Sequence, residues 1–216
     1  MTVKTSAKTS RQMRRRIRAE HIFALGFLAI ILVGAGLLML PAASNAGTVT
    51  PFSDTLFTAV SATCVTGLVV VDTGIHWSLF GQAVILSLIQ IGGIGFMTIA
   101  ILVMILAKRK ISLTQRFLMQ NSVSAPRLGG IVRLTKFIAL GTAMIEAVGA
   151  VLLSFSFVPK YGLLKGIYFS VFHSISAFCN AGFDLFGDIE GNSSLALYAE
   201  DPIVNITIML LVNLGG

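Results

Sequence analysis

Three long stretches without formal charge constrain the fold of this chain more than any other feature. Residues 21–40 and 79–107 contain no Asp, Glu, Lys or Arg, and residues 137–158 contain only Glu146. A bilayer core of about 30 Å is crossed by a helix of about 20 apolar residues. Each stretch is therefore long enough to span a membrane, and the second must tilt, kink or project beyond the lipid. The sequence predicts an all-α polytopic membrane protein.

The basic residues fall in two groups on alternate sides of these stretches. Of the 16 Lys and Arg residues, seven precede residue 21, seven lie within 108–136, and the last two are Lys160 and Lys165. Cytoplasmic loops of membrane proteins carry an excess of Lys and Arg, so residues 1–20 and the 108–136 loop are predicted to be cytoplasmic. The net charge of +7 is also compatible with nucleic-acid binding, but the banded distribution favours a bilayer and no nucleic acid.

Most acidic residues fall on the opposite side of the predicted spans. They are Asp54, Asp72, Asp184, Asp188, Glu190, Glu200 and Asp201, seven of the nine acids. An acidic vestibule raises the local cation concentration, whereas acids also occur in outer loops without any such role. The sequence leaves both interpretations open.

The chain contains an internal duplication. Ser-Ala-Thr-Cys-Val-Thr-Gly-Leu at 61–68 aligns without a gap on Ser-Ala-Phe-Cys-Asn-Ala-Gly-Phe at 176–183, and Leu-Ile-Gln-Ile-Gly-Gly at 88–93 corresponds to Leu-Val-Asn-Leu-Gly-Gly at 211–216. The predicted organisation is a basic N-terminus (1–20), a first helix–pore-loop–helix unit (21–110), a cytoplasmic linker (111–133) and a second unit (134–216). The last helix of the second unit is expected to be cut short.

A segment too short to cross the membrane precedes each octapeptide. Residues 52–63 and 165–178 are mostly apolar or hydroxylic, which is typical of re-entrant helices. Irregular backbone at membrane depth is tolerated where it lines a watery cavity, and a potassium filter uses such backbone carbonyls in place of water. Glycine adopts the positive φ that aligned carbonyls require, and one glycine at the same place in each copy, Gly67 and Gly182, fits that need.

These motifs resemble the Trk/Ktr/HKT superfamily of potassium transporters, and within it the membrane subunits of Ktr-type systems. The resemblance also includes Ile-Gln-Ile-Gly-Gly-Ile-Gly-Phe at 89–96 and covers roughly residues 15–216. It implies a pore-forming potassium uptake subunit in the bacterial inner membrane, with four such units around one pore. This sequence carries two of them, and the gating loop of the family belongs to the third.

The resemblance also implies the site residues and partners. K+ is expected to bind backbone carbonyls of two filter segments: Cys64, Val65, Thr66, Gly67 and Leu68, and Cys179, Asn180, Ala181, Gly182 and Phe183. It implies no organic cofactor, K+ as the transported ion and Na+ as a candidate activator. The implied partners are a second copy of the chain and a cytoplasmic nucleotide-binding ring of the KtrA (RCK) type.

Several single residues have two possible roles. Glu146, the one carboxylate inside a span, is expected to pair with a polar group on a neighbouring helix in preference to coordinating an ion. His173 is expected to pack and hydrogen-bond inside the second short helix. Glycines 92, 93 and 95 are expected to allow close helix packing or a kink, with a gating hinge as the alternative.

Two other functions are alternatives to the pore. Ser61 or Cys64 with His76 is a conceivable hydrolase pair, but the second copy has the serine and cysteine without a matching histidine. A secondary transporter also carries paired interrupted segments. Because both units here begin on the same side of the membrane, the repeat is parallel, which favours a pore; the chain is not expected to be an enzyme.

Overall fold

The described residues of the computed structural model are 21, 24–95, 98, 131–187 and 194–215, and they are helical, with no β-strand among them. In chain order the helices are α1 (Ala24–Leu38), α2 (Phe52–Thr63), α3 (Thr73–His76), α4 (Leu79–Ile94), α5 (Ile131–Tyr161), α6 (Leu163–Phe178) and α7 (Pro202–Gly215), with 3-10 helices at Pro41–Ala43 and Ser194–Tyr198. The predicted N-terminus (1–20) and residues 111–130 of the predicted linker lie outside the described residues.

Backbone hydrogen bonds tie the segment after α1 to the start of α4. Ser78 N donates to Ala43 O at 2.8 Å, and Asn45 N donates to His76 O at 2.9 Å. Ser44 and Trp77 form an isolated antiparallel bridge beside them. These bonds close the first half of the chain into a hairpin of α1 and α4, with α2 packed against α4.

The second half is a three-helix cluster in which α5, α6 and α7 contact one another. Gly162, at φ 81°, separates α5 from α6, and glycine reaches this conformation without steric cost. An aromatic group packs where these helices meet the segment after α6; Phe157 lies 5.5 Å from Phe186 and 5.0 Å from Tyr198, ring centre to ring centre. Helix α4 also contacts α6, which joins the two halves.

The helical, apolar character predicted from the sequence is confirmed for the described residues. Among them one helix, Arg133–Tyr161, is long and apolar enough to cross a membrane, and the other apolar helices are shorter. Helix α4 does not continue through 79–107: it ends at Ile94, and Gly95 has φ 85°. The helix is interrupted at Gly95, whereas Gly92 and Gly93 make close contacts with neighbouring segments, so both roles expected for these glycines occur.

Candidate functional site: two matching turns after the short helices

Helices α2 and α6 cover the two short segments predicted from the sequence. Helix α2 follows Pro51 and ends at Thr63, as predicted, while α6 begins at Leu163, two residues before the predicted start, and ends at Phe178. Proline before the first turn loses no helical hydrogen bond and is therefore well tolerated there. In both helices the next residue, a cysteine, has a negative φ: −88° at Cys64 and −74° at Cys179.

Each of these helices ends in a Schellman motif, in which a left-handed residue lets the following N–H groups bond backwards to the last turn. After α2, Thr66 N donates to Ser61 O at 3.0 Å and Val65 N donates to Ala62 O at 3.4 Å. The left-handed residue is Val65, at φ 57°. Glycine normally occupies this position, and a β-branched residue there is a steric outlier.

The same motif follows α6. Ala181 N donates to Ser176 O at 2.7 Å, and Asn180 N donates to Ala177 O at 2.9 Å. Asn180, at φ 55°, is the left-handed residue. Left-handed valine and asparagine at matching positions were not predicted from the sequence, since neither residue type demands that conformation.

A second left-handed residue follows two positions later in each segment. It is Gly67, at φ 71°, and Gly182, at φ 73°, so both glycines have the positive φ that was predicted for them. The two segments also meet at these residues. A Cβ atom built on Gly67 would lie 2.5 Å from Ala181 O and 3.3 Å from Gly182 Cα. The structure thus brings the two predicted filter segments together, glycine against glycine.

Serine side chains of the short helices make hydrogen bonds to both filter segments. The Ser61 hydroxyl is 2.9 Å from the Thr66 hydroxyl, and Ser176 Oγ donates to Phe183 O at 2.7 Å. Phe183 is buried, whereas its counterpart Leu68 is 62% exposed. The last residues of the two predicted filter segments therefore lie in different surroundings, and the Phe183 carbonyl already accepts a hydrogen bond.

Glycines of α4 and α7 lie against the ends of the short helices. A Cβ atom on Gly92 would overlap Thr63 O, and a Cβ atom on Gly215 would overlap Phe178 O. We call these the glycine–carbonyl contacts. Thr63 and Phe178 both directly precede a cysteine, so the same approach of a glycine to a helix end recurs in both halves of the chain.

A second contact recurs at the same spacing. A Cβ atom on Gly34 would lie 2.7 Å from Leu88 Cδ1, and one on Gly149 would lie 2.8 Å from Leu211 Cδ1. We call these the glycine–leucine contacts, between α1 and α4 and between α5 and α7. Gly149 follows Gly34 by 115 residues, the separation of the two octapeptides, and Leu211 follows Leu88 by 123, the separation of the two Leu-containing motifs.

A polar cluster links α4, α5 and the end of α6. Gln90 Nε2 donates to both carboxylate oxygens of Glu146, at 2.9 and 3.1 Å. Cys179 Sγ donates to Gln90 Oε1 at 3.9 Å, and Ser174 Oγ donates to Glu146 O at 2.7 Å. Glu146 thus has the interhelical polar partner expected for it, and the sequence had not identified that partner as Gln90.

His173 joins α6 to the segment that leaves the site. Its Nδ1 is 2.7 Å from Phe169 O, and Leu185 N donates to its Nε2 at 3.4 Å. Because a carbonyl only accepts, Nδ1 carries the proton, and because Nε2 accepts the Leu185 N–H it carries none, so the ring is neutral. The ring also stacks on Phe186, 4.4 Å away. The packing and hydrogen-bonding role predicted for His173 is therefore present in the structure.

Removing this imidazole should lower stability. In His173→Leu, the buried Leu185 N–H and Phe169 carbonyl lose their side-chain partner. The free energy of unfolding should fall by about 1–3 kcal/mol, which is measured as a lower thermal unfolding temperature in detergent. Val171→Leu on the exposed face of the same helix is the control, with an expected change within about 0.5 kcal/mol. Equal stabilities of His173→Leu and the control would contradict the anchoring role.

The residues of the hydrolase alternative have other partners. The Ser61 hydroxyl bonds Thr66, as described above, and His76 Nε2 lies 2.9 Å from Thr50 Oγ1. Ser61, one of the two candidate nucleophiles, and the candidate base His76 are thus each engaged with a threonine. The structure therefore does not pair Ser61 with His76.

Comparison with known proteins identifies a family that matches nearly the whole chain. Residues 3–216 match the TrkH family, described as a cation transport protein. The class that this description names is that of cation transport proteins. The chain belongs to the TrkH family.

Similar proteins carry names from potassium uptake. The chain is 46% identical over 203 residues to Ktr system potassium uptake protein B of Bacillus subtilis, covering 93% of this chain and 44% of the relative. It is 46% identical over 178 residues to the potassium/sodium uptake protein NtpJ of Enterococcus hirae (82% and 40%). It is 41% identical over 196 residues to Ktr system potassium uptake protein B of Vibrio alginolyticus (91% and 42%). The chain spans less than half the length of these relatives.

Proposed function

We propose that this chain belongs to the pore-forming subunit of a potassium uptake system and passes K+ through a filter of backbone carbonyls. The observation that carries the proposal is the pair of matching turns after α2 and α6, which meet at Gly67 and Gly182. Membership of a cation transport family and the names of the similar proteins support K+ as the transported ion.

The filter consists of Cys64–Leu68 and Cys179–Phe183, with K+ held by main-chain oxygens. Left-handed residues at two positions of each segment interrupt the regular alternation of peptide directions, so that N–H groups gather on one side and carbonyls on the other. Such carbonyls replace the hydration shell of the ion. The Phe183 carbonyl takes part least, since it accepts the Ser176 hydroxyl.

The short helices contribute a second attraction. The carboxyl end of a helix carries a partial negative charge, roughly half an elementary charge, that favours a cation in front of it. Helices α2 and α6 both direct this end into the segments that meet at the glycines. Each is therefore assigned the role of a pore helix.

The recurring contacts support an architecture of repeated helix–pore-loop–helix units. The glycine–leucine and glycine–carbonyl contacts occur once in residues 21–110 and once in 134–216, at the spacing of the repeated motifs. A complete filter surrounds its ion, and two segments leave part of the circle open. Four units in the full-length protein complete the ring.

The surroundings of the pore are assigned from the charge pattern and the family resemblance. The subunit lies in the bacterial inner membrane with its N-terminus in the cytoplasm, forms a homodimer, and binds a cytoplasmic ring of nucleotide-binding subunits. Na+ is assigned as an activator. The Enterococcus relative is named a potassium/sodium uptake protein, which supports Na+ as the second ion of the system.

Flux measurements on the full-length protein in liposomes test the proposal. We expect K+ influx that follows the K+ gradient and persists without an Na+ or H+ gradient, because a filter lined by carbonyls needs no coupled ion. Influx that requires such a gradient would point instead to a secondary transporter. Absence of cation flux from folded protein would contradict the assignment altogether.

Single cysteines in a cysteine-free background test the orientation. Cysteine at Ser10 or Ser122 should react with impermeant reagents only from the cytoplasm, and cysteine at Ala46 only from outside. The positive-inside distribution gives this expectation. Labelling of position 122 from outside intact cells would contradict the assigned topology.

A further inference from the structure

The Gln90–Glu146–Cys179 cluster, which we call the strut, contains residues from both halves of the chain. The side-chain amide of Gln90 uses both of its ends: its nitrogen donates to Glu146, and its oxygen accepts the Cys179 thiol. An amide nitrogen only donates and an amide oxygen only accepts, so these two partners fix which way the amide of Gln90 is oriented. The strut therefore connects α4 of the first half to the first residue of the second filter segment.

Two further contacts hold the same residues. A Cβ atom on Gly93 would overlap Cys179 Sγ, so α4 lies directly against this cysteine. Ser174 Oγ donates to Glu146 O, which fixes α5 to α6 at a position five residues before the filter segment begins at Cys179. Cys179 is consequently held by α4 on one side and by α6 through the backbone on the other.

The strut is not repeated in the first filter segment. The position 115 residues before Glu146 is Ile31, which has no polar side chain, and the position 123 residues after Gln90 is Asn213. Asn213 Nδ2 donates to Met209 O in its own helix, at 2.7 Å. Of the two filter segments in the described part of the chain, the cluster therefore contacts the second, at Cys179.

The carboxylate of this cluster lies deep in the structure. Glu146 is 8% exposed, and a carboxylate at membrane depth is costly unless it is paired. Among the described residues, the amide of Gln90 is the side chain that hydrogen-bonds it. Loss of either partner leaves a buried polar group without its bond, so the neighbouring backbone must shift to satisfy it.

We propose that Gln90 and Glu146 are positioning residues that set the place of residues 179–182 relative to the first filter segment, and so determine how well the pore distinguishes K+ from Na+. This inference rests on the proposed carbonyl filter. It assigns ion discrimination to a side-chain pair that does not line the ion path and that connects two units of the chain.

A reciprocal exchange in the full-length protein tests the strut. Gln90→Glu places two carboxylates side by side, and their repulsion should lower the ratio of K+ to Na+ uptake about tenfold, equivalent to about 1.4 kcal/mol. Gln90→Glu combined with Glu146→Gln restores an amide opposite a carboxylate and should return the ratio to within about twofold of the native protein. Glu146→Gln alone keeps an acceptor for Gln90 and should also stay within about twofold.

Ser87→Ala is the control, because the Ser87 hydroxyl donates only to Ala83 O of its own helix; its ratio should not change. If Gln90→Glu is not recovered as folded protein, Gln90→Leu serves in its place, with the same expected loss. A native ratio in the single variant, or no recovery in the exchanged pair, would overturn the strut. Failure of the native protein to prefer K+ would instead overturn the filter on which the inference rests.

Discussion

Serine at position 67 should remove most of the preference for K+ over Na+, and serine at position 182 should reduce it less. Both substitutions place a Cβ atom on a left-handed residue, at φ 71° and 73°, which costs about 1–2 kcal/mol. Gly67→Ser adds a clash, since the new atom would lie 2.5 Å from Ala181 O in the facing segment. At Gly182 the nearest atom is Gly67 Cα, at 3.5 Å.

Gly67→Ser should have a larger effect than Gly182→Ser because the Ala181 carbonyl belongs to the proposed filter and cannot rotate away as a side chain would. We expect Gly67→Ser to lower the ratio of K+ to Na+ uptake by about tenfold or more, since each 1.4 kcal/mol is a factor of ten. The measurement is uptake of both ions by the full-length protein in liposomes, corrected for the amount of protein.

Gly162→Ser is the matched control for backbone strain. Gly162 has φ 81°, and no non-neighbouring atom of the described residues lies within 4 Å of its Cβ position; it lies between α5 and α6, away from the meeting point of the segments. Its substitution should lower stability without changing the ion ratio. Equal losses of preference at positions 67 and 162 would contradict a filter role for Gly67.

Alanine at position 92 should destabilise the fold strongly. The added Cβ atom would overlap Thr63 O, a backbone atom at the end of α2, so α4 and α2 must move apart. Overpacking of this kind costs about 1–3 kcal/mol, and thermal unfolding in detergent measures it. Gly215→Ala should behave alike, because its Cβ atom would overlap Phe178 O.

Gly141→Ala provides the control on α5, where no atom from another part of the described chain lies within 4 Å of the Cβ position. A helix interior gains about 1 kcal/mol when alanine replaces glycine, so this variant should be as stable as the native protein or more so. If Gly92→Ala were equally stable, the glycine–carbonyl contact would not be a close one.

Local patterns predicted the elements well. The boundaries of α2 followed from Pro51 and the short apolar run that begins beside it, and the positive φ of Gly67 and Gly182 followed from the repeated glycine. By contrast, left-handed Val65 and Asn180 were missed, because a β-branched residue rarely adopts that conformation. The Schellman bonds of the preceding helix impose it, and the sequence signal available was the position itself, two residues after the helix end.

For contacts between distant segments, the sequence predicted the type of contact but not the partner residue. Glu146 was expected to meet a polar group on another helix, yet its partner Gln90 is 56 residues away, and only the packing of α4 against α5 and α6 selects it. His173 was expected to hydrogen-bond, but its bond to Leu185 depends on the path of the segment after the filter. The contact between Gly67 and Gly182 likewise depends on how the two halves of the chain pack together.

The location of bound Rb+ or Tl+ in a crystal structure of the full-length protein tests the carbonyl filter, since both ions substitute for K+ and scatter strongly. We expect anomalous density between the two segments, coordinated by main-chain oxygens of residues 64–67 and 179–182. Density coordinated by carboxylates, at Glu146 or Asp184, with none between Gly67 and Gly182, would contradict a filter built from these backbone carbonyls.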